Sequence, residues 1–117
     1  MLQCRTAPVT GCERSCSAWT PSTCGLSEAK RIAYMTHEAN RVCVPHAFRT
    51  GVLVAACLHL IAAIPNSAFL EFSVTDSALR RELLVEPFRV VQGQVAVPTQ
   101  PGLGIEINAE TVKKYSA

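Results

Sequence analysis

Aspartate is nearly missing from this chain, with Asp76 the only one in 117 residues. A Ser-His-Asp set needs an aspartate to orient its histidine, so that chemistry and the nucleophile elbow that goes with it are set aside. Lysine is scarce as well, confined to Lys30, Lys113 and Lys114. Net charge is only +2, the eleven Lys and Arg are scattered, and aromatic residues make up 6%. With no basic stripe and too few rings to stack bases, nucleic-acid binding has no support. A glycine-rich phosphate loop is missing too, because Pro101-Gly102-Leu103-Gly104 lacks a strand-to-helix setting and reads as a turn. The longest apolar run, Val52 to Ile64, is interrupted by His59, and it falls short of the ~18 residues of a membrane helix. Met1-Leu2-Gln3-Cys4-Arg5 lacks the apolar core of a signal peptide. The expectation is a cytoplasmic, soluble chain with no nucleic-acid and no membrane partner.

Hydrophobic residues are plentiful at 49%, against 17% charged. That balance is closer to a buried segment of something larger than to a small solvated domain, and the length allows one domain with a sizeable core. The six cysteines fall into two groups. Cys43 and Cys57 lie in apolar runs and read as small buried hydrophobes. Cys4, Cys12, Cys16 and Cys24 are crowded into the leader, but their spacings do not form the paired C-x2-C knuckles of a zinc site. Unpaired thiols are the expectation there, and no metal ligands are assigned.

A change of composition near Cys24 divides the chain. Residues 1–24 are rich in Ser, Thr, Cys and Pro and show neither the helical nor the strand period, so an irregular or disordered leader is expected. From Gly25 the pattern becomes orderly. Ser27 is a plausible N-cap with Glu28 in the first turn. Leu26, Ala29, Ile32, Ala33, Thr36 and Ala39 mark one face of a helix ending near Asn40. A short buried strand is expected at 42–45, a helix from about Thr50 to Ile64 stopped by Pro65-Asn66, and a strand from Phe69 to Phe72. Strand and helix in alternation predict β-α units with a parallel sheet. Beyond them, Ser77 to Leu84 reads as a short helix with Arg80 and Arg81 outward. Phe88–Val91 and Val95–Val97 read as a hairpin around Gln92-Gly93-Gln94, and Ala109–Tyr115 after Asn108 as a terminal helix.

Two polar residues stand just past candidate buried strands. His46 follows Val42-Cys43-Val44-Pro45, and Glu71 follows Ala68-Phe69-Leu70. In a (β/α) barrel, strand C-termini are where catalytic side chains are placed. A histidine there suits proton transfer near neutral pH, although it could equally serve loop backbone groups. A carboxylate between Leu70 and Phe72 is expensive to bury without a partner, which marks either function, an ion pair or an exposed strand end. His59, inside an apolar helix, reads as a satisfied core histidine and His37 as exposed. Asp76 and Glu82 read as cap and surface charges.

From Gly25 onward the ordered set of segments resembles the carboxy-terminal end of the mandelate racemase/muconate lactonizing enzyme family of the enolase superfamily. The segments are Gly25-Leu26-Ser27-Glu28-Ala29-Lys30, Val44-Pro45-His46, His59-Leu60-Ile61-Ala62-Ala63 with Pro65-Asn66, and Leu70-Glu71. They continue with Leu84-Val85-Glu86-Pro87, Gly93-Gln94-Val95-Ala96-Val97-Pro98 and Pro101-Gly102-Leu103-Gly104-Ile105-Glu106. The motifs look closest to acid-sugar dehydratase-like members.

The resemblance implies an α/β fold that is a partial (β/α)8 barrel, an incomplete barrel of the last two or so β-α units (25–85). A hairpin and tail (86–117) would return towards a capping domain. It implies that His46 acts as acid or base on the carbon next to a carboxylate. It also implies that Glu71 hydrogen-bonds the enolate or assists the leaving group. The implied cofactor is Mg2+ and the implied substrate a small carboxylate or acid sugar. The family's three acidic metal ligands, its Lys-x-Lys and the aspartate that partners the histidine have no counterpart here. Pro21-Ser22-Thr23-Cys24 stands where that aspartate would be. The expectation is therefore a truncated enzyme, its leader out of frame or misplaced, inactive alone and binding no Mg2+ of its own. The alternative is an assembly component that self-associates through exposed sheet edges.

Overall fold

The computed structural model describes residues 2–3, 16–19, 25–67, 69–73 and 77–116, the first two stretches by their backbone only. Three strands form one parallel sheet in the order β2-β3-β4: β2 (Cys16–Trp19), β3 (Val42–Ala47) and β4 (Glu71–Phe72). Helix α1 (Gly25–Glu38) connects β2 to β3, and α2 (Gly51–Ala63) connects β3 to β4. The parallel β-α pattern expected from the alternation of elements is therefore present, and the sheet is open rather than a closed barrel.

Helix α2 is the centre of the packing. It is apolar all round, and a helix of that kind is stable only when enclosed. One side of it joins Leu53, Val54, Cys57, Leu58 and Ile61 to Ala47 of β3, Leu70 and Val95. The opposite side sets Leu60 and Ile64 against Ala29 and Ala33 of α1 and Cys43 of β3. The helix stops at Ile64, whose extended backbone leads into Pro65. Asn66 then locks the layers together. Its Nδ2 donates to Ala33 O, Thr36 Oγ1 and Arg41 O at 2.9–3.0 Å, while its backbone carbonyl accepts from Cys43 N at 2.9 Å. One side chain thus ties the end of α1 to the start of β3.

Burial alternates along β3. Cys43, Pro45 and Ala47 are buried, while Val44 and His46 are only partly so and Val42 is exposed. Successive side chains of a strand point to opposite faces, so His46 sits on the face turned away from Cys43, Pro45 and Ala47. Proline removes a ladder donor and is awkward inside a sheet. Here Pro45 marks the place where pairing changes sides: residues 42–45 pair with β2, and 46–47 pair with β4.

The rest of the chain is a tail held at few points. Helix α3 (Ala78–Glu82) and helix α4 (Ala109–Tyr115) lie side by side, with Thr111 Oγ1 donating to Glu82 O at 2.9 Å and Lys114 Nζ to Glu82 Oε2 at 2.8 Å. Asn108 caps α4, its Oδ1 accepting from Glu110 N and Thr111 N. Between the two helices the backbone bridges Leu84 to Ile107 and turns tightly from Val91 to Gln94, where Gln92 and Gly93 both have positive φ. Strand β5 (Gln94–Val95) pairs antiparallel with β1 (Leu2–Gln3).

Several expectations need correction. Ser27 is not an N-cap; α1 begins at Gly25 and Ser27 lies exposed in its first turn. The strand expected over 69–72 is reduced to Glu71–Phe72. The hairpin at 88–97 is reduced to the single Val91–Gln94 bridge and β5, since Gln92-Gly93 make the turn but Phe88–Val90 find no partner strand. Within the leader expected to be irregular, Leu2–Gln3 and Cys16–Trp19 are strands. The remaining leader cysteines lie outside the described residues.

Candidate functional site

The sheet brings His46 and Glu71 together. They are register partners on adjacent parallel strands, His46 the next-to-last residue of β3 and Glu71 the first of the two residues of β4. His46 Nε2 lies 3.8 Å from Glu71 Oε1, with the two side chains 35% and 42% exposed. That distance is beyond a direct hydrogen bond. A ligand atom or water lying between them would be within reach of both. Half-exposure means that solvent screens the pair, so its contribution to stability is small. The strand-end setting, not deep burial, is what relieves Glu71 of the desolvation its apolar neighbours would impose, for Leu70 is buried and Phe72 half-buried.

Phe48 completes the histidine's surroundings. Its ring stacks on the His46 imidazole at a centroid distance of 3.9 Å and an interplanar angle of 7°. The aromatic two residues on from His46 in the sequence carried this contact unnoticed. Arg80, expected outward, is placed differently. It does not point outward: its guanidinium carbon sits 4.5 Å from the centre of the Phe72 ring, and its Nη1 and Nη2 are buried without an acceptor. Burial pulls its pKa below the ordinary arginine value. A five-residue helix is too short for periodicity to assign a face.

The remaining candidates are structural. His59 Nε2 lies 3.2 Å from Leu103 O, so the core histidine is satisfied by the tail. His37 is exposed in the last turn of α1, where a cation suits the helix dipole. Cys43 and Cys57 are free and buried. Burial pushes both thiols up, Cys57 to about 12 with a smaller contribution from the neighbouring Cys43. Thiols held neutral in this way are poor nucleophiles and poor ligands. Glu82 is a surface charge paired with Lys114, and Asp76 lies outside the described residues.

A Mg2+ site requires several oxygen ligands around one point. Among the described residues no three His, Cys, Asp or Glu side chains converge. Glu71 with His46 as its neighbour is one carboxylate and one imidazole, a donor set that does not fit that ion. Among the described residues, no helix is long and apolar enough to cross a membrane.

Parallel β-α units with a polar pair at the ends of neighbouring strands define an α/β domain of the type that carries ligands at its strand C-termini. The particular family is shown by comparison: residues 7–112 match the family described as enolase C-terminal domain-like, and the chain belongs to the mandelate racemase/muconate lactonizing enzyme family. It is 36% identical over 106 residues to D-galactarolactone cycloisomerase of Agrobacterium fabrum, a match covering 81% of this chain and 28% of that protein. Arabinonate dehydratase of Saccharolobus solfataricus is 30% identical over 93 residues, with 80% of this chain and 25% of the relative covered. Among solved structures, the 3,6-anhydro-D-galactonate cycloisomerase of Zobellia galactanivorans superposes with a TM-score of 0.70 at 32% identity. That superposition covers 78% of this chain and 26% of the other. The chain therefore spans about a quarter of the length of the relatives it matches.

Proposed function

We propose that this chain is the C-terminal part of a Mg2+-dependent enolase-superfamily enzyme. Such an enzyme abstracts the proton next to a carboxylate in an acid sugar, as a dehydratase or racemase. In this reading residues 25–85 are the last β-α units of a (β/α)8 barrel, and 86–117 the tail running back towards a capping domain. The observation that carries it is the His46–Glu71 pair, set in register at neighbouring strand ends with Nε2 and Oε1 3.8 Å apart.

His46 takes the role of acid or base at the carbon, imidazole being a side chain that can both take and return a proton. Glu71 stands one strand away, placed to hydrogen-bond the developing enolate or the departing hydroxyl. Phe48, stacked on the imidazole, restricts the plane in which His46 can present its nitrogen. Mg2+ dependence enters through the family alone, and no step at His46 or Glu71 is assigned to the metal. The pair lacks the carboxylate partner and the electrostatic stabilisation that carry most of such a rate, so the chain alone is inactive.

The test is a graft. Residues 25–117 replace the corresponding segment of the Agrobacterium cycloisomerase, and exchange of the substrate's α-proton is followed in deuterated water. Activity in the graft, reduced about 10²- to 10⁴-fold by His46→Asn, is the expected result. A folded graft whose exchange is indifferent to His46→Asn and Glu71→Gln would sink the assignment. Turnover by the unaided 117-residue chain would refute its inactivity.

A second reading has its own support. Among the described strands, β2 and β4 are each paired on one side only, and Val42 and Phe69 are exposed nearby. Open parallel edges invite pairing with another chain, so an assembly component is the alternative. A monodisperse monomer across a concentration series in sizing experiments counts against it.

A further inference from the structure

Arg80 is the one described arginine whose terminal nitrogens are buried with nothing to accept from them. Arginine stays charged in proteins, and a charge enclosed without an acceptor is an arrangement that folds avoid. The contact with Phe72 sets the guanidinium carbon over the ring, 4.5 Å from its centre, and satisfies none of its N–H donors. Its N–H donors radiate in the plane and are left over, in the fork geometry that matches two oxygens of one carboxylate or phosphate.

Arg80 also lines a cavity of about 440 Å³ between α2 and the segment that follows β4. Ser73, Ser77 and Arg81 supply the rest of its polar lining, and Val54, Phe72 and Phe88 are among its apolar walls. A guanidinium fork without an acceptor, set against apolar walls, suits a small anion carried on an organic body. No described carboxylate lines this cavity. Its position differs from that of the His46–Glu71 pair: Phe72 follows Glu71 on β4, and consecutive strand residues face opposite sides of the sheet.

We infer that this cavity is an oxyanion site, taking the phosphate or carboxylate group of a small ligand once the Arg80 side chain turns its donors from the wall into the cavity. The inference does not depend on the roles proposed for His46 and Glu71, and its failure would leave them standing.

The experiment uses the full 117-residue chain, with inorganic phosphate and acetate as probes against sodium chloride at matched ionic strength. The expected result is a saturable rise in the unfolding midpoint with one or both oxyanions and not with chloride. Which of the two acts identifies the group. Arg80→Met keeps an apolar stem over Phe72 but removes the fork, and it weakens the response at least about tenfold. If that variant folds poorly, Arg80→Lys keeps the charge without the fork and still binds more weakly. Phosphorus NMR observes phosphate and the methyl proton line observes acetate, so the absence of saturable broadening in both overturns the inference even where unfolding is not sharp. A response that survives unchanged in Arg80→Met overturns it as well. So does an Asp76→Asn variant that loses as much stability as Arg80→Met in a chain indifferent to anions, because the acceptor would then be internal.

Discussion

The layer built from α2, β3 and β4 and the tail from Val85 to Ile107 are held in opposite ways. In the layer, eight residues of α2 alone are buried, and their partners come from two strands and a second helix. In the tail Val95 is the one buried hydrophobic residue, while Val85, Val90, Val91 and Ile107 are exposed. The layer is stable through apolar area removed from water, at roughly 1.5–3 kcal/mol for each large side chain. The tail keeps its course through turn geometry, a few bridges and the Asn108 cap at its end, with Phe88, Val95 and Val97 as its anchors on the core. The layer therefore tolerates change in its turns and not in its volume, and the tail the reverse. His46 and Glu71 belong to the layer, whose packing sets their separation; Arg80 stands where layer and tail meet.

The sharpest way to break this contrast is to cut volume from each region. Leu58→Ala, at a site with no exposure, should lower stability by about 2–5 kcal/mol. Val91→Ala, 61% exposed in the tail, should change it by less than about 0.5 kcal/mol. Denaturant midpoints measure both, and comparable losses would show that the tail is packed after all.

The seam between the regions gives the next effect. A Cβ on Gly51 would lie 2.8 Å from Leu84 Cγ and closer still to Cδ1, against a side chain that is itself buried. Gly51→Ala should cost about 1–3 kcal/mol by overpacking. Combined with Leu84→Ala, the two losses should sum to more than the double variant shows, because the cavity relieves the clash. Strict additivity would mean that Leu84 simply swings aside.

Within the tail, turn geometry should matter more than side-chain volume. Gly102 and Gly104 both have positive φ, but only at Gly104 would a Cβ meet other atoms, Pro98 Cβ at 2.5 Å and the Gln100 carbonyl oxygen at 3.2 Å. Gly102→Ala should cost about 1 kcal/mol from the left-handed backbone alone, and Gly104→Ala clearly more. Asn108→Ala, which removes the cap of α4, should cost about 1 kcal/mol. Helix content by circular dichroism beside the unfolding midpoint separates these local losses from global ones.

A pH dependence confined to the layer completes the contrast. Cys57 is held neutral, its folded pKa raised to about 12 while the unfolded thiol titrates near its ordinary value of 9.0. A raised folded value means that its contribution is complete below pH 9 and is lost as pH climbs from there towards 12. Unfolding midpoints should fall over that window, and alkylation of Cys57 at pH 8 should track global unfolding. Rapid alkylation of the native chain would show that the layer opens locally.

Much of the layer was legible because its elements are strongly patterned. The apolar run from Val52, ended by Pro65, could be little other than an enclosed helix, and observed α2 differs from the expected span by one residue at each end. His46 and Glu71 stood out because each interrupts an apolar strand at its end. The terminal helix after Asn108 was legible over Ala109–Tyr115, the span that α4 occupies. Less was legible wherever the deciding contact is distant in sequence. Cys16–Trp19 has no period of its own and is a strand because the β3 backbone offers it partners. Arg80 was expected outward, and Phe72 draws it in.

Local pattern thus settles which segments are helix or strand and where the polar residues stand along them, because propensity, periodicity and capping act over a few residues. Tertiary structure alone settled that His46 and Glu71 are neighbours, that Asn66 joins two layers, and that Arg80 faces a cavity without an acceptor. Those facts depend on register and packing between segments tens of residues apart, and no short-range signal in a chain encodes such a meeting.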